Sequence, residues 1–253
     1  MVKIIIDNPA NVENIKHMMR VDMHSHSTAS DGRNTAEELI QRAKKLNIKI
    51  SITDHNEVIS SLKACKVGVG IPGIEVTSNN ALDLLAYFYN HKDMEDYYKK
   101  YIAGHHLKNR GFNLRKLKWS TEELIEKTRE YESLIILAHP FTMRPKNSHR
   151  YAVKHPWLVK KIDGIEVINS IMPSFMNSRA VEWAKELNKA ATGGSDAHMV
   201  KFLGNTITCS EADNIEEFLN NIKKKRNYVI GKSISRLHKW HSNLVVFTKN
   251  LAW

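Results

Sequence analysis

The stretch VDMHSHSTASDG, residues 21–32, carries a β-rich run into two histidines that flank a serine, with an aspartate five residues after the second. Side chains of an extended strand return to the same face every second residue, so His24 and His26 share a face and two imidazoles can grip one cation. Similar endings recur along the chain. IKISITDH (48–55) closes on Asp54 and His55, GIPGIEV (70–76) on Glu75, LIILAH (134–139) on His139, and NKAATGGSD (188–196) on Asp196, with His198 two residues further. LDLLAYFY (82–89) carries Asp83 and GIEVINS (164–170) carries Glu166 and Asn169. A single histidine at a strand end is most simply a hydrogen-bonded structural residue. So many metal-ligand types at the same end of successive strands favour a common site.

Helical patterns alternate with these strands. TAEELIQRAKKL (35–46) opens with a capping box, Thr35 and Glu38, and STEELIEKTREY (120–131) repeats it with Ser120 and Glu123. Further helices are read in HKDMEDYYKKYIAGHHLK (91–108), SFMNSRAVEWAKELN (174–188) and DNIEEFLNNIKKKR (213–226). Alternation of this kind implies a mainly parallel sheet, open or closed into a barrel, with functional groups at the carboxyl ends of the strands.

Composition sets the outer bounds. The 253 residues are 42% hydrophobic and 26% charged, and no run approaches the roughly 18 apolar residues of a membrane span. The opening MVKIIIDNPANVENIK has too short an apolar cluster for a signal peptide, so a cytoplasmic location is expected. Cys65 and Cys209 have no paired spacing and read as reduced and structural. Thirty-eight Lys and Arg against 27 Asp and Glu give a net charge of +11, which is compatible with a polyanionic partner. The KKKR run at 223–226 reads as the basic last turn of a helix whose acids lie in its first turn.

Imidazole and carboxylate without thiolate suit zinc, manganese or iron better than copper(I) or an iron–sulfur cluster. Six motifs in order, HSHSTASDG (24–32), TDHNEV (53–58), PGIEVTS (72–78), AHP (138–140), GIEVINS (164–170) and GSDAH (194–198), resemble the polymerase and histidinol phosphatase (PHP) superfamily of metal-dependent phosphoesterases. The resemblance covers residues 20–232, leaving an N-terminal extension (1–19) and a C-terminal tail (233–253). It implies a distorted (β/α)7 TIM-like barrel holding two or three divalent metal ions (Mn, Zn or Fe). Carried over by position, His24, His26, Glu75 and Asp196 are the implied ligands of the first ion. Glu75 bridges to a second ion held by His139, and Asp31, His55 and His198 hold the third. Asp54 is the implied partner that orients a histidine or a bound water. Asp83 stands where the family usually has a histidine, which adds a negative charge and a harder donor and puts occupancy of the second site in question.

The implied activity is hydrolysis of a phosphate ester of a small metabolite or nucleotide by a metal-bound hydroxide, the ions also clamping the phosphoryl oxygens. Arg144, Lys146 and Arg150, directly after His139, are candidate phosphate ligands, with an ordinary exposed basic connection as the competing reading. His105 and His106 match no ligand position and read as exposed or capping residues. Glu166 and Asn169 read as structural or substrate-shaping. Residues 91–132 form a candidate helical excursion over the pocket, and Trp240 and Trp253 are expected to pack on the barrel or on a second subunit. The alternatives are an exonuclease trimming short RNA or DNA, with nucleic acid as partner, and a non-catalytic nucleic-acid or protein-binding barrel. Retention of the whole ligand set argues against the last. No membrane partner is expected.

Overall fold

The computed structural model describes residues 2–107, 116–143 and 147–234. In chain order its strands and helices are β1 (Lys3–Ile5), β2 (Met19–Ser25), α1 (Ala36–Leu46), β3 (Lys49–Ile52), α2 (Ile59–Lys66), β4 (Gly73–Thr77), β5 (Asp83–Phe88) and α3 (His91–Tyr97). They continue with α4 (Thr121–Thr128), β6 (Ser133–Leu137), α5 (Ser148–Lys154), α6 (Trp157–Lys161), β7 (Gly164–Asn169), α7 (Ser174–Glu186), β8 (Ala190–Gly194), β9 (Thr206–Ser210), α8 (Ile215–Lys223) and β10 (Tyr228–Gly231).

Both capping boxes form. Thr35 Oγ1 accepts from the Glu38 amide at 3.3 Å while Glu38 Oε2 accepts from the Thr35 amide at 2.8 Å, and Ser120 and Glu123 do the same for α4 at 3.2 and 2.7 Å. The helix read from residue 91 runs through α3 and one wide turn and stops at Ile102.

The expected barrel does not form. The strands make two mixed five-stranded sheets, β1-β10-β9-β2-β3 and β4-β5-β6-β7-β8, and neither is mainly parallel. Two features of the chain account for this. Only residues 78–82 separate β4 from β5, far short of the dozen or so residues that a parallel crossover needs, so the pair is antiparallel. At the other edge, β9 pairs antiparallel with Met19, Arg20 and Val21 of β2 and stands where β8 would have to dock to close a ladder. β8 packs on β2 at Gly194 but does not ladder with it; the pairing there is an isolated bridge between Ser25 and Ala197, past β8's end. The Thr208 hydroxyl takes the place of a backbone ladder, accepting from Gly193 N at 2.9 Å and donating to Gly193 O at 3.1 Å.

Apolar side chains fill the space between and outside the sheets. Met23, Leu85, Tyr87, Ile136 and Phe218 form one buried cluster, and the Tyr87 hydroxyl donates to the Met23 carbonyl at 2.7 Å, tying the two sheets together. A larger cluster joins β4–β7 to α3, α4 and α7 through residues such as Phe88, Tyr97, Leu124 and Met176. Among the described residues no helix is long and apolar enough to cross a membrane.

Candidate metal centre

The chain directions bring the carboxyl ends of β2, β3, β4, β6, β7 and β8 to one side of the molecule. Because β5 runs antiparallel to β4, its first residue lies there too, with Asp83 opposite Thr77. His24 is inside β2 and His26 follows its end, as strand periodicity requires, and both are buried.

Glu75 stands at the centre. Its Oε2 lies 3.4 Å from His24 Nε2, 3.4 Å from His26 Nε2 and 3.2 Å from His55 Nδ1, while its Oε1 lies 3.1 Å from His139 Nε2. Asp196 Oδ1 is 3.1 Å from His26 Nε2 and 3.6 Å from His24 Nε2. On the far side of His26, Asp31 Oδ2 is 3.3 Å from His198 Nε2 and 3.7 Å from His55 Nε2. Several triads have ligand atoms within 4.8 Å of one another, among them His24–His26–Glu75, His24–His139–Asp196, His26–Asp196–His198 and His26–Asp31–His55. Asp83 groups with Glu75 and His55, and accepts from the Thr77 hydroxyl at 2.7 Å.

Two contacts are poorly explained by hydrogen bonding alone. His24 Nε2 and His26 Nε2 face each other at 3.0 Å, and the wholly buried Glu75 Oε2 has no hydrogen-bond partner. A buried acceptor left without a donor is costly, and imidazole nitrogens and carboxylate oxygens converging on one space are the donor set a divalent cation takes.

Without a cation the charges compensate one another. Burial opposes protonation of His24, yet Glu166, Asp196 and Glu75 outweigh it and hold its pKa well above the ordinary value. His139 and His198 are likewise raised to about 9, against burial, chiefly by Glu75 and by Asp31 respectively. His26 is lowered, by burial and by the neighbouring His198. Burial alone would raise Glu75, Asp31 and Asp196, but the surrounding histidines hold all three well below the usual carboxylate range.

The partners of this cluster come from unexpected places. Glu166, which the sequence suggested was structural or substrate-shaping, accepts from His24 Nδ1 through Oε1 at 2.9 Å and from the His139 amide through Oε2 at 2.9 Å. A carboxylate can only accept here, so Nδ1 of His24 carries the proton. Asn169 Nδ2 donates to Glu166 Oε2 and to Asp196 Oδ2, both at 3.1 Å. The signal was present in GIEVINS, at a strand end, but which ligand it serves depends on pairing across the molecule. Asp54 accepts from the Ser27 amide (2.7 Å) and from the Ser27 and Ser30 hydroxyls (2.6 Å each), securing the loop that carries Asp31. His139 and Asp196 adopt left-handed φ values of 25° and 52°, which non-glycine residues hold only when their surroundings impose it.

Arg150 is exposed in the first turn of α5, whereas Arg144, Lys146, Trp240 and Trp253 lie outside the described residues. Among the described residues His105 and His106 belong to no ligand group; His105 lies 5.3 Å from the Trp119 ring.

Residues 176–227 match the family model described as PHP-associated. The chain resembles the PHP superfamily in sequence and in fold. An uncharacterized protein of Methanocaldococcus jannaschii is 28% identical over 252 residues, covering 92% of this chain and 94% of its own length. Among solved structures, a candidate metal-dependent phosphoesterase of Bifidobacterium adolescentis aligns with a TM-score of 0.56 at 16% identity, over 86% of this chain and 98% of its own. The lesion-specific endonuclease Q of Pyrococcus furiosus aligns at 0.63 and 18% identity, over 84% of this chain and 57% of its own. An endonuclease Q solved with a 27-mer duplex bearing an abasic lesion at the active site aligns at 0.63 and 19% identity, over 82% of this chain and 57% of its own. At these identities the PHP likeness among solved structures is one of fold.

Proposed function

We propose that the chain is a metal-dependent phosphoesterase that hydrolyses a phosphate ester of a small metabolite or nucleotide. The observation that carries this reading is the convergence of His24, His26 and His55 nitrogens on a buried Glu75 oxygen that makes no hydrogen bond. The donor set fits manganese, zinc or iron. His24, His26, Glu75 and Asp196 would hold one ion; Glu75 and His139, with Asp83 nearby, a second; Asp31, His55 and His198 a third. Bound there, divalent ions supply Lewis acidity toward phosphoryl oxygens and acidify water near neutral pH.

The chain's own groups do the rest. Glu166 fixes the tautomer of His24 so that Nε2 faces the cluster with its lone pair. Asn169 spaces Glu166 from Asp196 and neutralises neither. Within the cluster His55, His139 and His198, with side chains 13%, 10% and 10% exposed, are more accessible than His24 and His26 and mark the side from which substrate would enter. Arg150, exposed in the first turn of α5, is the described candidate for contacting a phosphate oxygen of the substrate.

Elemental analysis after purification without chelators, followed by phosphate-release assays on sugar phosphates, nucleotides and short oligonucleotides with added manganese or zinc, tests this reading. Two or three ions per chain are expected, with His26→Ala and Asp196→Ala folded but inactive. Fewer than one ion per chain, with no uptake on addition, overturns it.

Cleavage of nucleic acid is the second reading, favoured by the net charge of +11 and the fold shared with endonuclease Q. Binding along several phosphates would then weaken with salt at a slope of about −0.7 per contact on single strands. Weak salt dependence and a preference for mononucleotides would leave the metabolite reading standing.

A further inference from the structure

Asp22 lies on the face of β2 that also carries Arg20 and His24, two residues before His24. It is wholly buried, yet its carboxylate is served by backbone amides: Oδ1 accepts from Ser195 N at 2.8 Å and from His24 N at 3.3 Å, and Oδ2 accepts from Gly204 N at 2.8 Å. Among the described residues no cation pairs with it. These three amides are not arbitrary points of attachment. His24 is itself a candidate ligand. Ser195 precedes Asp196, another. Gly204, at φ +86°, ends the segment that follows His198.

The neighbourhood has little freedom to find this arrangement otherwise. Asp196 is held in a left-handed conformation, and its amide donates to the His24 carbonyl at 2.7 Å. The register of β2 against β3 shifts between Asp22 and Ser25, so the ladder on that side does not itself dictate where His24 sits. On the other side β8 packs closely on β2 at Gly194, but the two strands pair only through an isolated bridge between Ser25 and Ala197, beyond β8's end. The Asp22 carboxylate therefore joins backbone amides of two closely packed segments that carry ligands but share no continuous ladder.

We propose that Asp22 is a positioning residue for the metal centre, setting the His24 and Asp196 backbones at the separation a shared cation requires. This rests on the metal-centre reading above. The geometry makes a specific demand: the acceptors must be two, anionic or not, at this length of side chain. Asparagine keeps the shape but turns one acceptor into a donor that faces a backbone N–H. Glutamate keeps charge and both acceptors but displaces them by one methylene.

The test compares wild type, Asp22→Asn, Asp22→Glu and a stability control, Thr128→Val, whose buried hydroxyl lies far from the cluster and bonds Tyr97 and Leu124. Each is stripped of metal, checked for folding by circular dichroism, and titrated with manganese by calorimetry; each is also loaded with cobalt(II) and its visible spectrum recorded. Both Asp22 variants are expected to bind manganese at least tenfold more weakly and to show an altered cobalt spectrum, while Thr128→Val loses thermal stability but keeps wild-type affinity and spectrum. Whichever Asp22 variant folds decides the matter: wild-type affinity and spectrum in it overturn the positioning role while leaving the metal centre intact. A wild-type chain that takes up neither metal overturns both.

Discussion

Glu166 Oε1 stands 2.9 Å from Nδ1 of His24, with both side chains out of contact with solvent. Residues 142 positions apart in the chain thus form the pair that aims one imidazole into the cluster. Removing such a partner of a metal-binding histidine typically costs about 10–100-fold in metal affinity or activity. Glu166→Gln, which keeps an acceptor but loses the charge, is expected near the lower end of that range, and Glu166→Ala near the upper end. Calorimetric titration with manganese checks this; unchanged affinity in both variants would remove Glu166 from the site.

Metal uptake is expected to expel protons. In the chelated chain His24 is held protonated well above its ordinary pKa, and His139 and His198 up to about 9, by adjoining carboxylates. A cation needs their lone pairs, so binding near pH 7 releases protons and weakens as pH falls. Titration in two buffers of different ionisation enthalpy reads the proton count directly. Equal apparent enthalpies in both buffers would count against these histidines as ligands.

The same shifts set the pH response of the metal-free fold. A histidine whose folded pKa exceeds its unfolded value of 6.5 stabilises the fold below that value and loses the contribution as pH rises through the folded pKa. For His139 and His198 the window runs from 6.5 to about 9. The chelated chain should therefore unfold at progressively lower urea concentration across that window, and saturating manganese should flatten the trend. A midpoint that rises over the same interval would show that the cluster is not charged as described.

Gly194 offers a steric test. A Cβ placed there would lie 2.3 Å from the His24 Cβ and 2.6 Å from the His24 amide nitrogen, so β8 runs flush against the ligand-bearing part of β2. Overpacking of this kind costs about 1–3 kcal/mol, and here the obstruction is partly backbone, which cannot rotate away. Gly194→Ala should lose at least about 2 kcal/mol of stability by urea unfolding and bind metal less well. Wild-type stability would mean that the two strands can separate at no cost.

Burial raises the thiols of Cys65 and Cys209 to about 12. At pH 8 that leaves about a thousandfold less thiolate than an ordinary cysteine. Both should react with dithionitrobenzoate at least about a hundredfold more slowly in the folded chain than in urea. Rapid reaction of either in the native state would contradict its placement.

Much of the site was legible in the chain because its rules are local. Alternation in a strand places His24 beside His26, and three-residue spacing pairs Thr35 with Glu38 and Ser120 with Glu123. Polar residues at the ends of short apolar runs pick out His55, Glu75, His139, Asp196 and His198, and the family resemblance adds Asp31; the fold brings all of them together. The barrel was not so determined. Periodicity identifies a strand but is silent on its neighbour, and it is the antiparallel insertion of β9 against β2, with the short link from β4 to β5, that yields two mixed sheets. Tertiary structure alone also assigned Glu166 to His24, Asn169 to Asp196 and Asp22 to the amides of Ser195 and Gly204. Each of these contacts is a hydrogen bond between segments whose separation in sequence carries no period, so its partner exists only once the sheets have chosen their order.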